Sequence, residues 1–284
     1  MAANVNADAF IPEIWDAAVY RTLEDNLVAR KICRNYSNKV KQAGDTIHFN
    51  GLDDPAVTSY AGSVSYETLV SGRVSLLIDK QNYYAFKVTD IEEAMANVDL
   101  KGSQAERAGY VLKKACDTDL MSLYSDAYTG NVVTDSTCDA TTIISDIGLA
   151  YQRLAEQNVN EGDMWMTIPP WVELKLKLAG IKFSINEGIN GKGGMTWAKG
   201  ELGFDIFVTN QVYNSGSAAS PVSYCMFGSY NAIGYAEALQ KSESMRLEGS
   251  FETGVRGLHV YGRKVIKPRE LGYMALTYTA ETAI

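Results

Sequence analysis

The chain has 284 residues, 46% of them apolar and 21% charged, a balance that fits a folded protein with a real core and excludes a disordered, collagen-like or disulfide-knotted chain. Twenty-six Lys and Arg against 34 Asp and Glu give a formal charge of −8, the wrong sign for a protein whose main task is to grip nucleic-acid phosphates. There is no run of about 18 apolar residues, and Met1 to Asp8 carries neither a basic start nor an apolar signal core, so no membrane span and no export are expected. Cys33, Cys116, Cys138 and Cys225 are scattered, with no pair at metal-clip spacing, and are expected to be buried thiols.

The opening residues read as an irregular arm leading into a helix. Pro12 suits a first helical turn, and Trp15, Val19, Leu23 and Leu27 recur every four residues as an apolar stripe. Phe10 and Ile11, ahead of that stripe, have nothing local to pack on and need either their own domain or a neighbouring subunit.

From Asp45 to Val88 the pattern turns to strand-like alternation. Ile47 and Phe49 lie on one side, a polar middle follows (Asp53, Asp54, Pro55, Gly62, Ser63), and then come Val74, Leu76 and Ile78. Two such strands form a ribbon that is marginal alone in water and carries too few large apolar residues for a private core. It has to lie on a surface, of its own chain or of another copy.

Ser103 and Glu106 match the S-x-x-E capping box, and Ala105, Ala108, Leu112, Cys116, Leu120, Leu123 and Ala127 follow at helical spacing. The pattern predicts a spine helix to Tyr128 of about 25 residues, roughly 37 Å long. After a loop over 130–140, Ile143, Ile147, Ala150 and Leu154 predict an amphipathic helix, and Met164 to Ile168 a short buried strand. Pro169 and Pro170 then open a helix carrying Trp171, Leu174 and Leu178 that stops at Gly180. Gly188, Gly191, Gly193 and Gly194 mark a loop. Phe204 to Val208, Val222 to Phe227, Leu258 to Tyr261 and Tyr273 to Tyr278 read as strands, with Gly216 to Ser220 as a surface turn.

Motifs for chemistry are missing. His48 and His259, the two histidines, each sit in alternating strand patterns, where a structural role is the commoner one. Gly188-Ile189-Asn190-Gly191-Lys192-Gly193 lacks both the spacing and the Ser or Thr after Lys that a phosphate loop needs. No G-x-S-x-G elbow occurs, and no dinucleotide glycine fingerprint follows a strand. The pairs Asp53-Asp54 and Glu92-Glu93 point apart as neighbours do and read as solvated surface. The sequon Asn35-Tyr36-Ser37 means little without an export signal. No catalytic residue, cofactor or metal site is expected.

The order of segments nevertheless resembles a known family. Phe10-Ile11-Pro12-Glu13-Ile14-Trp15, Gly44-Asp45-Thr46-Ile47-His48, Met164-Trp165-Met166-Thr167-Ile168-Pro169-Pro170, Gly203 to Asn210 and Val255 to Gly262 follow one another as in the major capsid proteins of tailed phages, the Hong Kong 97 fold. That resemblance implies an α+β capsid fold with arm and first helix over 1–40, an extended loop over 41–88 and a peripheral domain with the spine helix over 89–139. An axial domain over 140–250 and return strands of the peripheral domain over 251–284 complete it. It implies pentamers and hexamers closing into an icosahedral head around double-stranded DNA, with Phe10, Ile11 and Trp15 packing the arm and Leu76 and Ile78 as the loop's assembly contacts. Scaffolding, portal and head-completion proteins would be partners, DNA would be touched weakly, and the protein would be built into the virion after assembly in the host cytoplasm.

Two departures from the family pattern stand out. There is no Lys between Lys41 and Lys80, so an isopeptide cross-link from the loop is not expected. The helix pattern starts near Pro12, which leaves no room for a cleaved scaffolding extension. The rival readings are an encapsulin-type nanocompartment shell, which shares the architecture, and an acidic cytoplasmic hydrolase working through surface carboxylates.

Overall fold

The computed structural model describes residues 27–40, 45–51, 72–90, 100–179, 203–217, 220–249 and 251–279, with the single positions 57, 59, 62 and 66. In chain order the elements are α1 (Ala29–Ile32), β1 (Arg34–Asn35), β2 (Thr46–Asn50), β3 (Arg73–Leu77), β4 (Lys80–Thr89) and α2 (Leu100–Met121). Then come β5 (Val132–Asp135), α3 (Ile143–Glu156), β6 (Met164–Ile168), α4 (Pro170–Leu178), β7 (Asp205–Val208) and β8 (Tyr213–Ser217). The chain closes with β9 (Ser220–Ser229), β10 (Ile233–Arg246), β11 (Glu252–Val265) and β12 (Leu271–Thr277). Phe10, Ile11, Trp15, Asp53, Asp54, Glu92, Glu93 and the 188–194 loop lie outside the described residues.

The strands form a six-stranded mixed sheet, a four-stranded sheet and a two-stranded ribbon. In the six-stranded sheet the order is β5-β12-β9-β6-β7, with β8 added to β9; β12 runs parallel to β5, and β6 parallel to β7. All five residues of β6 are buried, because both of its faces are covered. Met164, Met166 and Ile168 face Ile147, Ala150 and Leu154 of α3 and Val172 and Leu176 of α4, whereas Trp165 belongs to a second core with Cys116, Leu120 and Met121 of α2. Pro170 opens α4 at a position where the missing N–H costs nothing. This core holds every apolar position that periodicity placed inside α3.

The four-stranded sheet has the order β1-β10-β11-β4. Its centre is a hairpin of two 14-residue strands, turned at Gly249, whose φ of +82° is open to glycine at little cost. The second core joins the two sheets: Ile233, Tyr235, Tyr261 and Val265 from the hairpin meet Trp165 and Met226 from the six-stranded sheet. All four cysteines are buried and free.

Several elements differ from the sequence reading. Ser103 does not cap α2 but lies inside it, since the helix already includes Leu100. It ends at Met121 and passes into a 3-10 stretch over Ser122–Asp126 instead of running to Tyr128. The loop over 130–140 contains β5, paired in parallel with β12, and the turn read over Gly216 to Ser220 falls where the β8–β9 hairpin reverses, with β8 itself not expected. The strands after 251 divide: β11 enters the four-stranded sheet and β12 the six-stranded one.

Candidate assembly surfaces

The ribbon has a firm root. In β2 and β3 the register sets Ile47 opposite Leu76 and Phe49 opposite Val74 on one face, with His48 opposite Ser75 on the other. The first face packs on Tyr36, Val40, Ala236, Ala238, Leu258 and Val260, and the Tyr36 and Phe49 rings meet edge to face at 4.9 Å. The chain at Leu77 and Ile78 presses directly on Gly262, where an added Cβ would fall 2.4 Å from the Leu77 carbonyl oxygen. Leu76 and Ile78 are consequently 0% and 1% exposed. Both are expected from the sequence to touch another subunit; within the single chain their side chains lie against their own sheet.

Beyond this root the ribbon changes character. The pairing continues one step, with the Gly51 N–H donating to the Gly72 carbonyl at 2.7 Å. Of the residues farther out, Val57 is 99% and Tyr66 96% exposed. A single exposed apolar side chain is ordinary on any protein surface. Here, however, two occur among only four described positions between Gly51 and Gly72.

A second open surface lies on the far half of the β10–β11 hairpin and on β4. Pairing places Tyr83, Ala85 and Lys87 beside Leu258, Arg256 and Gly254, and these beside Lys241, Glu243 and Met245, all on one face. Tyr83 and Met245 are exposed, as is Phe251 at the hairpin turn. Ion pairs edge this face: Arg256 and Lys241 both bond Glu243, and Lys87 reaches Glu252 at 2.9 Å. Bonds from Lys241 and then Arg256 hold the Glu243 carboxyl below its ordinary range. On the opposite face the Tyr84 ring covers Gly257 and its hydroxyl lies 3.0 Å from that of Ser242, while Phe86 stacks beside it.

Beside the second core a polar network fixes α1, and with it the place where the first continuous described stretch begins. The Asp117 carboxylate accepts the Val28 N–H at 2.8 Å at the head of α1. Arg30 bonds Glu237, which also pairs with His259 Nε2 at 2.7 Å; Arg263 and the Tyr261 hydroxyl meet on Asp119. Burial tends to raise the Glu237 carboxyl, but hydrogen bonds from His259 and Tyr235, with the charge of Arg30, outweigh it and hold it low. His259 is thus a buried partner of a carboxylate, and His48 pairs with Ser75 at 2.9 Å on the ribbon's exposed face. The two histidines sit in different sheets. The sequon also has a local task, since the Asn35 side chain accepts from the Ser37 N–H and hydroxyl.

These surfaces and networks hold a fold together and leave faces open; they do not converge on a reacting group. A family model described as phage capsid protein matches residues 73–273, which is more than half of the chain. The chain belongs to the phage capsid protein family. Its fold is the Hong Kong 97-like capsid fold, and it is a tailed-phage major capsid protein, a structural component of the virion that associates with copies of itself rather than an enzyme.

Solved structures agree on the fold. A chain from Mycobacterium phage Che8 is 21% identical, with a TM-score of 0.78 over 93% of this chain and 97% of that one. A chain in the capsid of cyanophage P-SCSP1u is 15% identical, with a TM-score of 0.72 over 96% and 94%. One in the capsid of Ralstonia phage GP4 is 13% identical, with a TM-score of 0.73 over 99% of each. Comparison with curated proteins finds no match. Among the described residues no helix is long and apolar enough to cross a membrane.

Sequence reasoning missed Val57 and Tyr66, which sit in a polar stretch without periodicity. It also missed the open face of β4, although Tyr83, Ala85 and Lys87 alternate there as strand residues do.

Proposed function

We propose that this capsid protein forms pentamers and hexamers that close into an icosahedral head around double-stranded DNA, assembled in the host cytoplasm. Scaffolding, portal and head-completion proteins would take part, and the acidic chain would touch the packaged DNA only weakly. In this reading the part of the 41–88 loop beyond the β2–β3 root is laid on an adjacent copy, α2 is the spine of a peripheral domain that includes β4 and β10, and the rest of 140–250, joined by β5, is an axial domain at the five-fold and pseudo-six-fold centres. Residues 1–40 form the arm, in which Phe10, Ile11 and Trp15 pack on a neighbour. From 251–284, β11 goes with the peripheral part and β12 with the axial part. With no Lys between Lys41 and Lys80, the loop is held by non-covalent contacts, individually weak and multiplied by symmetry.

The observation that supports this reading best is the contrast along the ribbon. Its root is sealed by Leu76 and Ile78, while Val57 and Tyr66 stand in water. An isolated ribbon tip gains nothing from exposing a valine and a tyrosine, and burying them against another copy removes that cost. Electron cryomicroscopy of particles from cells expressing the chain with its neighbouring head genes tests it. Closed shells with Tyr66 buried between two copies are expected; shells in which each ribbon tip folds back on its own subunit would overturn the proposal.

A further inference from the structure

At the start of α3, away from the surfaces described above, three side chains with ligating atoms converge. Asp135 ends β5, Cys138 lies in the turn that follows, and Asp146 stands in the first turn of α3. One oxygen from each carboxylate and the Cys138 Sγ all lie within 4.8 Å of one another. Cys138 is fully buried and Asp146 is 8% exposed. Asp135 is held in place, one oxygen accepting the Thr137 N–H and the other the Thr142 hydroxyl, each at 2.9 Å.

The helix end does not need these groups. Asp139 already serves it, with one oxygen accepting the Thr141 N–H at 2.7 Å and the Thr142 N–H at 2.9 Å. One Asp146 oxygen is not served: its Oδ2 is sealed from solvent and has no hydrogen-bond partner. Burial acts on the Asp146 carboxyl first, then a side-chain hydrogen bond with Asp135, then the charges of Asp135 and Asp139. The buried Lys175 ammonium donates to the Thr279 carbonyl and hydroxyl at 3.0 and 3.2 Å, and its charge is felt at Cys138 and Asp139 but does not figure at Asp146. Crowded, buried negative charge with an empty acceptor is costly unless a cation answers it.

We propose that Asp135, Cys138 and Asp146 form a site for one divalent transition-metal ion of the zinc class. A proton shared by the carboxylates would answer their charge but would give the thiol no part; a thiol converging with two carboxylates suits a borderline cation better than magnesium or calcium. Around tetrahedral zinc, with bonds of about 2.0–2.3 Å, ligand atoms sit roughly 3.3–3.8 Å apart. The present spacing therefore needs only a small closure of the side chains. Binding releases the thiol proton to solvent as the sulfur–metal bond forms. The ion would tie the end of β5 to α3. The sequence reading expected no metal because it weighed Cys and His spacing and not a lone Cys joined by carboxylates from two elements.

The test uses the full-length chain, stripped with a chelator, dialysed and titrated with cobalt(II), followed by zinc competition. One equivalent per chain is expected, with a thiolate-to-cobalt charge-transfer band in the near ultraviolet that zinc removes. C138S should abolish the band, and D146N should weaken uptake more than about tenfold, since even outer partners of metal ligands are worth that much. C33S, a buried thiol elsewhere, should leave both unchanged. A stripped parent chain that shows no such band overturns the proposal whatever the variants do, and so does uptake that survives both C138S and D146N. In either case the carboxylates share a proton instead.

Discussion

The six-stranded sheet and the ribbon are made from the same kinds of strand residue, yet they differ in what completes them. In β6 every residue is buried, Met164, Met166 and Ile168 against α3 and α4 and Trp165 toward α2. In β2 and β3 only one face is covered, and the covered part ends before Val57 and Tyr66. The first region satisfies itself within one chain. The second is finished only at its root, and what it leaves open is what a shell of identical copies can close. In the proposed shell the body folds before assembly and the ribbon gains its last contacts during it.

The largest effect is expected in the self-sufficient region. Phe227 is fully buried in β9, with its ring 6.1 Å from that of Phe204 and packed on Gly272. Phe227→Ala should lower stability by about 3–5 kcal/mol, read as a fall in the denaturant midpoint. A loss below about 1 kcal/mol would break the comparison, since it would mean that this core is not the one that holds the subunit.

A smaller and more local effect is expected at the ribbon root. Leu76→Ala removes a fully buried side chain, worth about 2–5 kcal/mol in a rigid core. The ribbon, however, can lift away without opening either main core, so the loss should appear as faster hydrogen exchange of β2 and β3 with little change in the global midpoint. Equal loss of protection across β6 and β9 would contradict the separation of the two regions.

Much of the self-sufficient body was legible in the sequence, because burial there follows local pattern. Ile143, Ile147, Ala150 and Leu154 mark one helical face, and Met164 to Ile168 followed by two prolines mark a strand and a helix start. The long hairpin was not legible on its first side. The stretch over 236–241 is rich in helix formers (Ala236, Glu237, Ala238, Leu239, Gln240, Lys241) and is drawn into β10 by thirteen residues paired to β11, a tertiary gain that outweighs local preference. Ser103 and Glu106 satisfy a capping spacing that a helix interior satisfies equally well.

The ribbon shows where such reading stops. Alternation identifies the apolar face of Leu76 but not whose surface it meets, and that depends on chain segments 150 residues away or more, around Ala236 and Val260. The cluster of Asp135, Cys138 and Asp146 escaped for a similar reason, because the turn after β5 and the first turn of α3 bring it together. Spacing in sequence carries little trace of that convergence.

The central claim, that the ribbon is rooted in its own subunit and completed by another, is tested most directly by the double variant V57D/Y66D. Both side chains are exposed in the subunit, so the melting transition of the purified chain should move little, within roughly 0.5 kcal/mol. Particle yield on sedimentation and in electron micrographs should fall sharply. Shells at the parent yield, formed by a variant with the parent's melting temperature, would contradict the account.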